Sequence, residues 1–225
     1  MTPAPELYVV GAGGHAREVH SYIRDLADAG WKGTLKGFID DNLAPGPHGR
    51  LEVVGPLAET TFPFGGPSPQ GRYITALGNN PTRRAVVNRI ETLFGDTFPA
   101  WTLIHPDSRI GEDVEIGDGG CIAPAVIITA GVRIGRHCIL NVKASVSHDC
   151  SVGDFVNINP GATVCGWVKI GDEAYIGAGA TLKDRVSIGA GSIIGAGAVV
   201  TQDIPPGVTA VGVPARIIKT HAKQS

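Results

Sequence analysis

The stretch IGRHCILNVKASVSHDCSVGDFVNI, Ile134 to Ile158, decides the fold. Its aliphatic residues Ile134, Leu140, Val146, Val152 and Ile158 stand six apart. The same step gives Ile104, Ile110, Ile116, Ile122 and Ile128 upstream, then Val164, Ile170, Ile176, Leu182, Ile188, Ile194 and Val200 downstream. All seventeen positions are aliphatic and the register never slips. The fifth position of each hexad is restricted too: Val, Ala, Cys, Ser and Gly fill nearly all of it, with Ile204 the largest. Glycine recurs at the second position, as at Gly111, Gly117, Gly135, Gly153 and Gly171.

A period of six fits neither an amphipathic helix at 3.6 nor a simple hairpin at 2. It fits a parallel β-helix whose short flat faces meet at corners. One bulky and one small residue per face then point inward, and glycine helps the chain round each corner. The composition agrees: 32 glycines among 225 residues is about twice the usual share. At 43% hydrophobic residues the chain is not a disordered one.

The net charge of −2 offers no basic face for nucleic acid or an anionic membrane. Cys121, Cys138, Cys150 and Cys165 contain no CxxC spacing, so buried reduced thiols are expected rather than a disulfide framework or a metal knuckle. The start MTPAPELYVVGAGG lacks the basic and apolar regions of a signal peptide. No apolar run reaches the ~18 residues that span a bilayer. A soluble cytoplasmic protein is expected.

Residues 1–100 read as a small βαβ unit. LYVV (Leu7–Val10) is a buried strand, and the helical pattern REVHSYIRDLADAG (Arg17–Gly30) follows the turn GAGGHA (Gly11–Ala16). LKGFIDD (Leu35–Asp41) and YITALGNN (Tyr73–Asn80) are further strands, and PTRRAVVNRIETLF (Pro81–Phe94) a second helix. TTFPFGGPSPQGR, residues 60–72, reads as a loop. GAGGHA satisfies the dinucleotide fingerprint G-x-G-x-x-G/A, but a domain this short cannot hold a six-stranded NAD fold. A nucleotide-linked substrate suits it better, with phosphates over Gly13, Gly14 and His15 and with Asp40 or Asp41 accepting from a base or ribose. A glycine turn needed only for close helix–sheet packing is the structural alternative.

VVGAGGHA, then FIDD, then hexads carrying HDCSVGDF together resemble the NeuD/PglD-type sugar acyltransferases, within the hexapeptide-repeat acyltransferases. The resemblance covers almost the whole chain. It implies a left-handed parallel β-helix of triangular section over residues 101–205, with three hexads per coil, followed by a capping tail at 206–225. It also implies a homotrimer whose active sites lie in grooves between prisms. The reaction implied is acetyl transfer from acetyl-CoA to a sugar. In one branch the acceptor is the amine of a nucleotide-linked 4-amino sugar destined for bacterial surface glycans or glycoproteins.

Acetyl transfer from a thioester to an amine needs a base, stabilisation of the carbonyl oxygen, and alignment. The resemblance makes His148 the general base and Asp149 the carboxylate that orients it. It also points to Asn141 as a sugar-positioning residue, although Asn141 and Asn159, eighteen apart, equally suit a stacked amide ladder. Gly166, one coil beyond His148, offers its N–H to the oxyanion. Asn157 stands where one relative carries a second histidine, which bears on contact with the thioester carbonyl. Ala178 and Ala196 make a small-residue column for pantetheine, and Arg216 and Lys219 are within the tail for CoA phosphates.

His105, His137 and His148 fall in hexads of three different faces, so one chain does not gather them round a metal. No metal is expected. Two alternatives stay open: an O-acetyltransferase on a sialic-acid-like sugar, and a non-catalytic solenoid scaffold.

Overall fold

The computed structural model describes residues 4–58, 68 and 70–221. Contacts divide the chain into two units between Pro106 and Asp107. Most of the Pro/Gly-rich run at residues 60–72 lies outside the described residues.

The first unit is a five-stranded sheet. Its strands are β1 (Glu6–Val10), β2 (Thr34–Ile39), β3 (Gly46–His48), β4 (Leu51–Gly55) and β5 (Gly71–Thr75), in the order β3-β4-β2-β1-β5. All pairings are parallel except β3 with β4. Helix α1 (Gly14–Asp28) buries Ala16, Val19, Tyr22 and Ile23, a stripe at helical spacing. Its end matches the pattern that ran to Gly30, which takes φ +100 as its N–H bonds to the Ala27 carbonyl at 3.0 Å. Helix α2 (Asn80–Phe94) is capped by the Asn79 side chain, which accepts the Thr82 N–H at 2.9 Å.

The hexads form seventeen two-residue strands from Leu103–Ile104 to Val199–Val200, arranged in three parallel sheets of a left-handed β-helix. Ile128 pairs with Val146, Val146 with Val164 and Val164 with Leu182, so one coil is eighteen residues. From Ile122 to Val200 every first-position aliphatic is at most 4% exposed. Ile104 and Ile110 depart from the expectation of an inward-facing row, at 40% and 38% exposure. They belong to the first coil, where no further coil stacks on the outer side.

Glycine does help the chain round the corners, as expected, but from the fourth position of the hexad, where Gly119, Gly131, Gly161, Gly179, Gly191 and Gly197 take positive φ. Second-position glycines do not make the turn. A β-carbon on Gly135 would lie 2.5 Å from the carbonyl carbon and oxygen of Gly153, so glycine there permits coils to approach. The turn itself falls on the fourth position, where Asp113, Ala125, His137, Lys143, Asp149, Phe155, Trp167, Glu173 and Arg185 all take positive φ.

In the tail, Val208–Val211 extends one sheet beside Ile193–Ile194, and Arg216–Thr220 folds back antiparallel on it. All four cysteines are free, three of them buried and Cys165 partly exposed. Among the described residues no helix is long and apolar enough to cross a membrane.

Candidate active site

Strand Ser145–Val146 delivers His148 and Asp149 to a corner of the prism. Asp149 takes φ +58, and its carboxylate turns back on the neighbouring imidazole, with Oδ2 2.9 Å from Nδ1 of His148. Both side chains are about half exposed, at 47% and 52%. A carboxylate accepts only, so this contact assigns the proton to Nδ1 and leaves a lone pair on Nε2. The open side of the ring therefore carries the basic atom.

Gly166 lies against that ring from the next coil. A β-carbon at Gly166 would sit 2.8 Å from both Cε1 and Nε2 of His148. Among the described residues the Gly166 N–H donates to no hydrogen-bond acceptor. The corner thus joins an imidazole, the carboxylate bound to it and an uncommitted backbone donor. Trp167, a residue that polar and small-residue patterns do not single out, stands edge-to-face with His148 at 4.3 Å between ring centroids. Its signal was the spacing: it lies eighteen residues after Asp149, one coil on at the same corner position.

The remaining groups expected in the prism lie elsewhere on a single chain. Asn141 follows strand Ile139–Leu140, and its Oδ1 accepts the Val142 N–H at 2.8 Å. Ala178 and Ala196, both exposed, follow strands Tyr175–Ile176 and Ile193–Ile194 of the same sheet, so these three residues share one edge. His148 stands at the next edge along the chain. Asn159 donates its amide to the Ile176 carbonyl of the next coil at 2.7 Å, rather than laddering with Asn141. Asn157 is only 3% exposed, a full face beyond His148. His105, His137 and His148 emerge from three different sheets. Arg216 and Lys219 lie on the exposed final strand.

In the first unit, Gly13 precedes α1 without a side-chain cap, leaving the N–H groups of the first turn directed outward. A β-carbon on Gly13 would meet nothing within 4 Å, and one on Gly14 only the end of Arg17 at 3.9 Å. His15 holds Glu18 through Nδ1 at 2.8 Å, while its buried Nε2 has no hydrogen-bond partner among the described residues.

Asp40 and Asp41 have structural work as well. Asp40 accepts the Ala12 N–H and the Asn42 N–H, each at 2.9 Å, which pins the glycine turn to the end of β2. Asp41 accepts the Leu57 N–H at 2.7 Å and pairs with Arg89. Each carboxylate keeps spare acceptor capacity. Both line a cleft of about 220 Å³ with Gly11, Leu57, Leu77 and Val86. It opens at the carboxyl ends of the parallel strands, where open α/β sheets receive ligands.

Comparison with known proteins agrees with both halves. Residues 6–90 match the PglD N-terminal domain, and residues 149–184 and 168–202 match the bacterial transferase hexapeptide (six repeats). The chain is 37% identical over 155 residues to a GDP-perosamine N-acetyltransferase of Escherichia coli O157:H7, a match spanning 68% of this chain and 66% of that protein. Its fold is similar to the acetyltransferase domain of PglB from Neisseria gonorrhoeae FA1090, with TM-score 0.81 and 32% identity over 95% of this chain and 99% of that one. It is similar also to PerB from Caulobacter crescentus, solved with CoA and GDP-perosamine, with TM-score 0.84 and 30% identity over 97% and 99% of the two chains.

Proposed function

The chain belongs to the NeuD/PglD-type family of acetyl-CoA-dependent sugar acyltransferases, and on that footing we propose that it acetylates the amine of a GDP-linked 4-amino sugar, with His148 as general base. The observation that carries this reading is the His148–Asp149 pair on an open edge, with Nε2 against the backbone of Gly166.

The chemistry follows from those atoms. The amine attacks the thioester carbonyl carbon, the C–N bond forms, and the π pair moves onto oxygen. Gly166 N–H donates to that oxyanion. Nε2 of His148 takes the proton from nitrogen, and Asp149 steadies the imidazolium. Collapse restores the carbonyl and breaks the C–S bond, and the proton passes from Nε2 to the departing CoA sulfur. No acyl-enzyme forms. Burial pushes the Cys150 thiol up, away from the reactive thiolate, and its S–H donates to the Cys165 carbonyl at 3.0 Å.

The nucleotide is assigned to the first unit. Its base enters the cleft beside Asp40 and Asp41, and its phosphates meet Gly13, Gly14 and His15. Acetyl-CoA runs along the Ala178–Ala196 edge. Asn141, Ala178 and Ala196 share an edge that His148 does not, so two prisms side by side would join the edges. That supports a homotrimer with sites between subunits. The enzyme works in the cytoplasm, where acetyl-CoA and nucleotide sugars are made.

Release of free CoA thiol from acetyl-CoA tests the reading, with GDP-perosamine beside UDP- and dTDP-linked 4-amino sugars. Turnover on the GDP sugar supports it. Turnover with sialic acid alone moves the chain to hydroxyl acetylation, and silence with every acceptor revives the scaffold. Light scattering of the purified protein checks the trimer.

A further inference from the structure

The corner that carries His148 continues through two more coils, and its next members are large. Trp167 follows Asp149 by one coil and Arg185 by two. The indole of Trp167 stands perpendicular to the His148 ring, at an interplanar angle of 89° and a centroid separation of 4.3 Å. The guanidinium carbon of Arg185 lies 4.1 Å from the centroid of that indole. Backbone bonds lock the three coils: Trp167 N–H donates to the His148 carbonyl and Arg185 N–H to the Gly166 carbonyl, each at 3.0 Å.

Nothing in the corner itself selects tryptophan. Trp167 takes φ +58, a region that bulky residues rarely adopt and that glycine, asparagine and aspartate enter readily. It is also 43% exposed, so it is not a core residue. What distinguishes it is what it touches. A single bond from Nδ1 to Asp149 leaves the imidazole free to rock about that contact, and glycine at 166 places no side chain beside the ring to stop it. The indole supplies the missing wall.

We propose that Trp167, steadied by Arg185 on its other side, is a positioning residue for His148, fixing the imidazole plane in which Nε2 meets the acceptor amine. The proposal rests on His148 being the base. It makes the active edge a stack of three side chains from successive coils: base, aromatic wall, cationic brace.

The test is steady-state kinetics of Trp167→Asn, Trp167→Phe, Arg185→Gln and the Trp167→Asn/Arg185→Gln double variant, with His148→Ala in the same series. Asparagine suits the left-handed corner, so the first variant removes the wall without straining the turn. The expected result is a fall in kcat of about tenfold for Trp167→Asn, with KM for both substrates unchanged and partial recovery in Trp167→Phe. Arg185→Gln should lower kcat alone but add nothing in the Trp167→Asn background, because the brace acts through the wall. An unchanged kcat in Trp167→Asn beside an inactive His148→Ala overturns the proposal and leaves the base assignment standing. A rise in KM with kcat intact makes Trp167 a substrate platform, which overturns it too. An active His148→Ala removes the base reading itself, and the proposal with it.

Discussion

Nε2 and Cε1 of His148 would each lie 2.8 Å from a β-carbon on Gly166, so the imidazole rests against bare backbone of the next coil. Gly166→Ala puts a methyl group where the ring now stands. Gly166 is not among the residues of positive φ, so alanine fits the backbone there and the prism should melt as before. The ring must swing away, and kcat should fall by about a hundredfold. Kinetics alongside a circular dichroism melt check this, and near-normal kcat would mean the ring does not occupy this place during turnover.

His148→Ala should lower kcat by about a hundred- to ten-thousandfold, the usual worth of a positioned base. Asp149→Asn keeps a residue that tolerates φ +58 but replaces the carboxylate that faces Nδ1. Its loss should be smaller than that of His148→Ala. Both side chains are about half exposed, so neither variant should shift the melting midpoint by more than a few degrees. Equal activity in Asp149→Asn and the native enzyme would remove the orienting role.

Asp40→Ala should act on stability and on substrate together. It leaves the N–H groups of Ala12 and Asn42 without their acceptor, a loss of about 1–3 kcal/mol where such groups are buried. The glycine turn loosens with them, and KM for the nucleotide sugar should rise while KM for acetyl-CoA stays put. Urea unfolding and the two KM values decide it. A change in neither would mean that the turn holds its shape without Asp40.

Stability should fall in mild acid through His20. Burial first, then the guanidinium groups of Arg24 and Arg50, hold its imidazole below the ordinary histidine range. It packs edge-on against Phe38 at 5.7 Å and lines a cleft of about 490 Å³ with Arg17, Arg24, His48 and Arg50. As pH falls, the unfolded chain takes up this proton before the folded one does. The stabilising contribution is therefore complete above about pH 6.5 and is lost as pH drops through the folded value. Urea unfolding at about pH 7.5 and pH 5.5 should show a shallower difference in His20→Asn than in the native chain.

The prism was legible because its constraint is local and repeated. Each face must bury one large and one small side chain, so the hexad register appears directly in the residues, and the first-position aliphatics from Ile122 to Val200 are buried as the register requires. The hairpin of β3 and β4 leaves little trace in the sequence, since GPHG looks like a turn and β3 is only three residues long. The alternation in β4, with Leu51, Val53 and Gly55 buried, was a usable strand signal. In the site, counting eighteen from His148 leads to Gly166, and the same count from Asp149 leads to Trp167. That residue was as readable as the glycine, but a search for acids, bases and small residues passes over an indole. The bond from the Ala12 N–H to Asp40, twenty-eight residues apart, arises only when β1 and β2 pair in parallel, and no local pattern announces it.

The unbroken eighteen-residue coil makes the prism a stack of equal storeys, five complete ones and two faces of a sixth. Each storey adds about 4.8 Å, the spacing of adjacent strands. A deletion of one residue between two storeys would turn every inward side chain on one side of the cut out of register with the other, whereas duplication of a whole coil would preserve every ladder bond. Growth of such a molecule is therefore stepwise. A coil inserted after the Arg185 corner would carry the tail strand with Arg216 and Lys219 one storey away from His148 and leave the stack above it intact. The distance from chemistry to tail is thus set by counting storeys, as the reach of a ladder is set by its rungs.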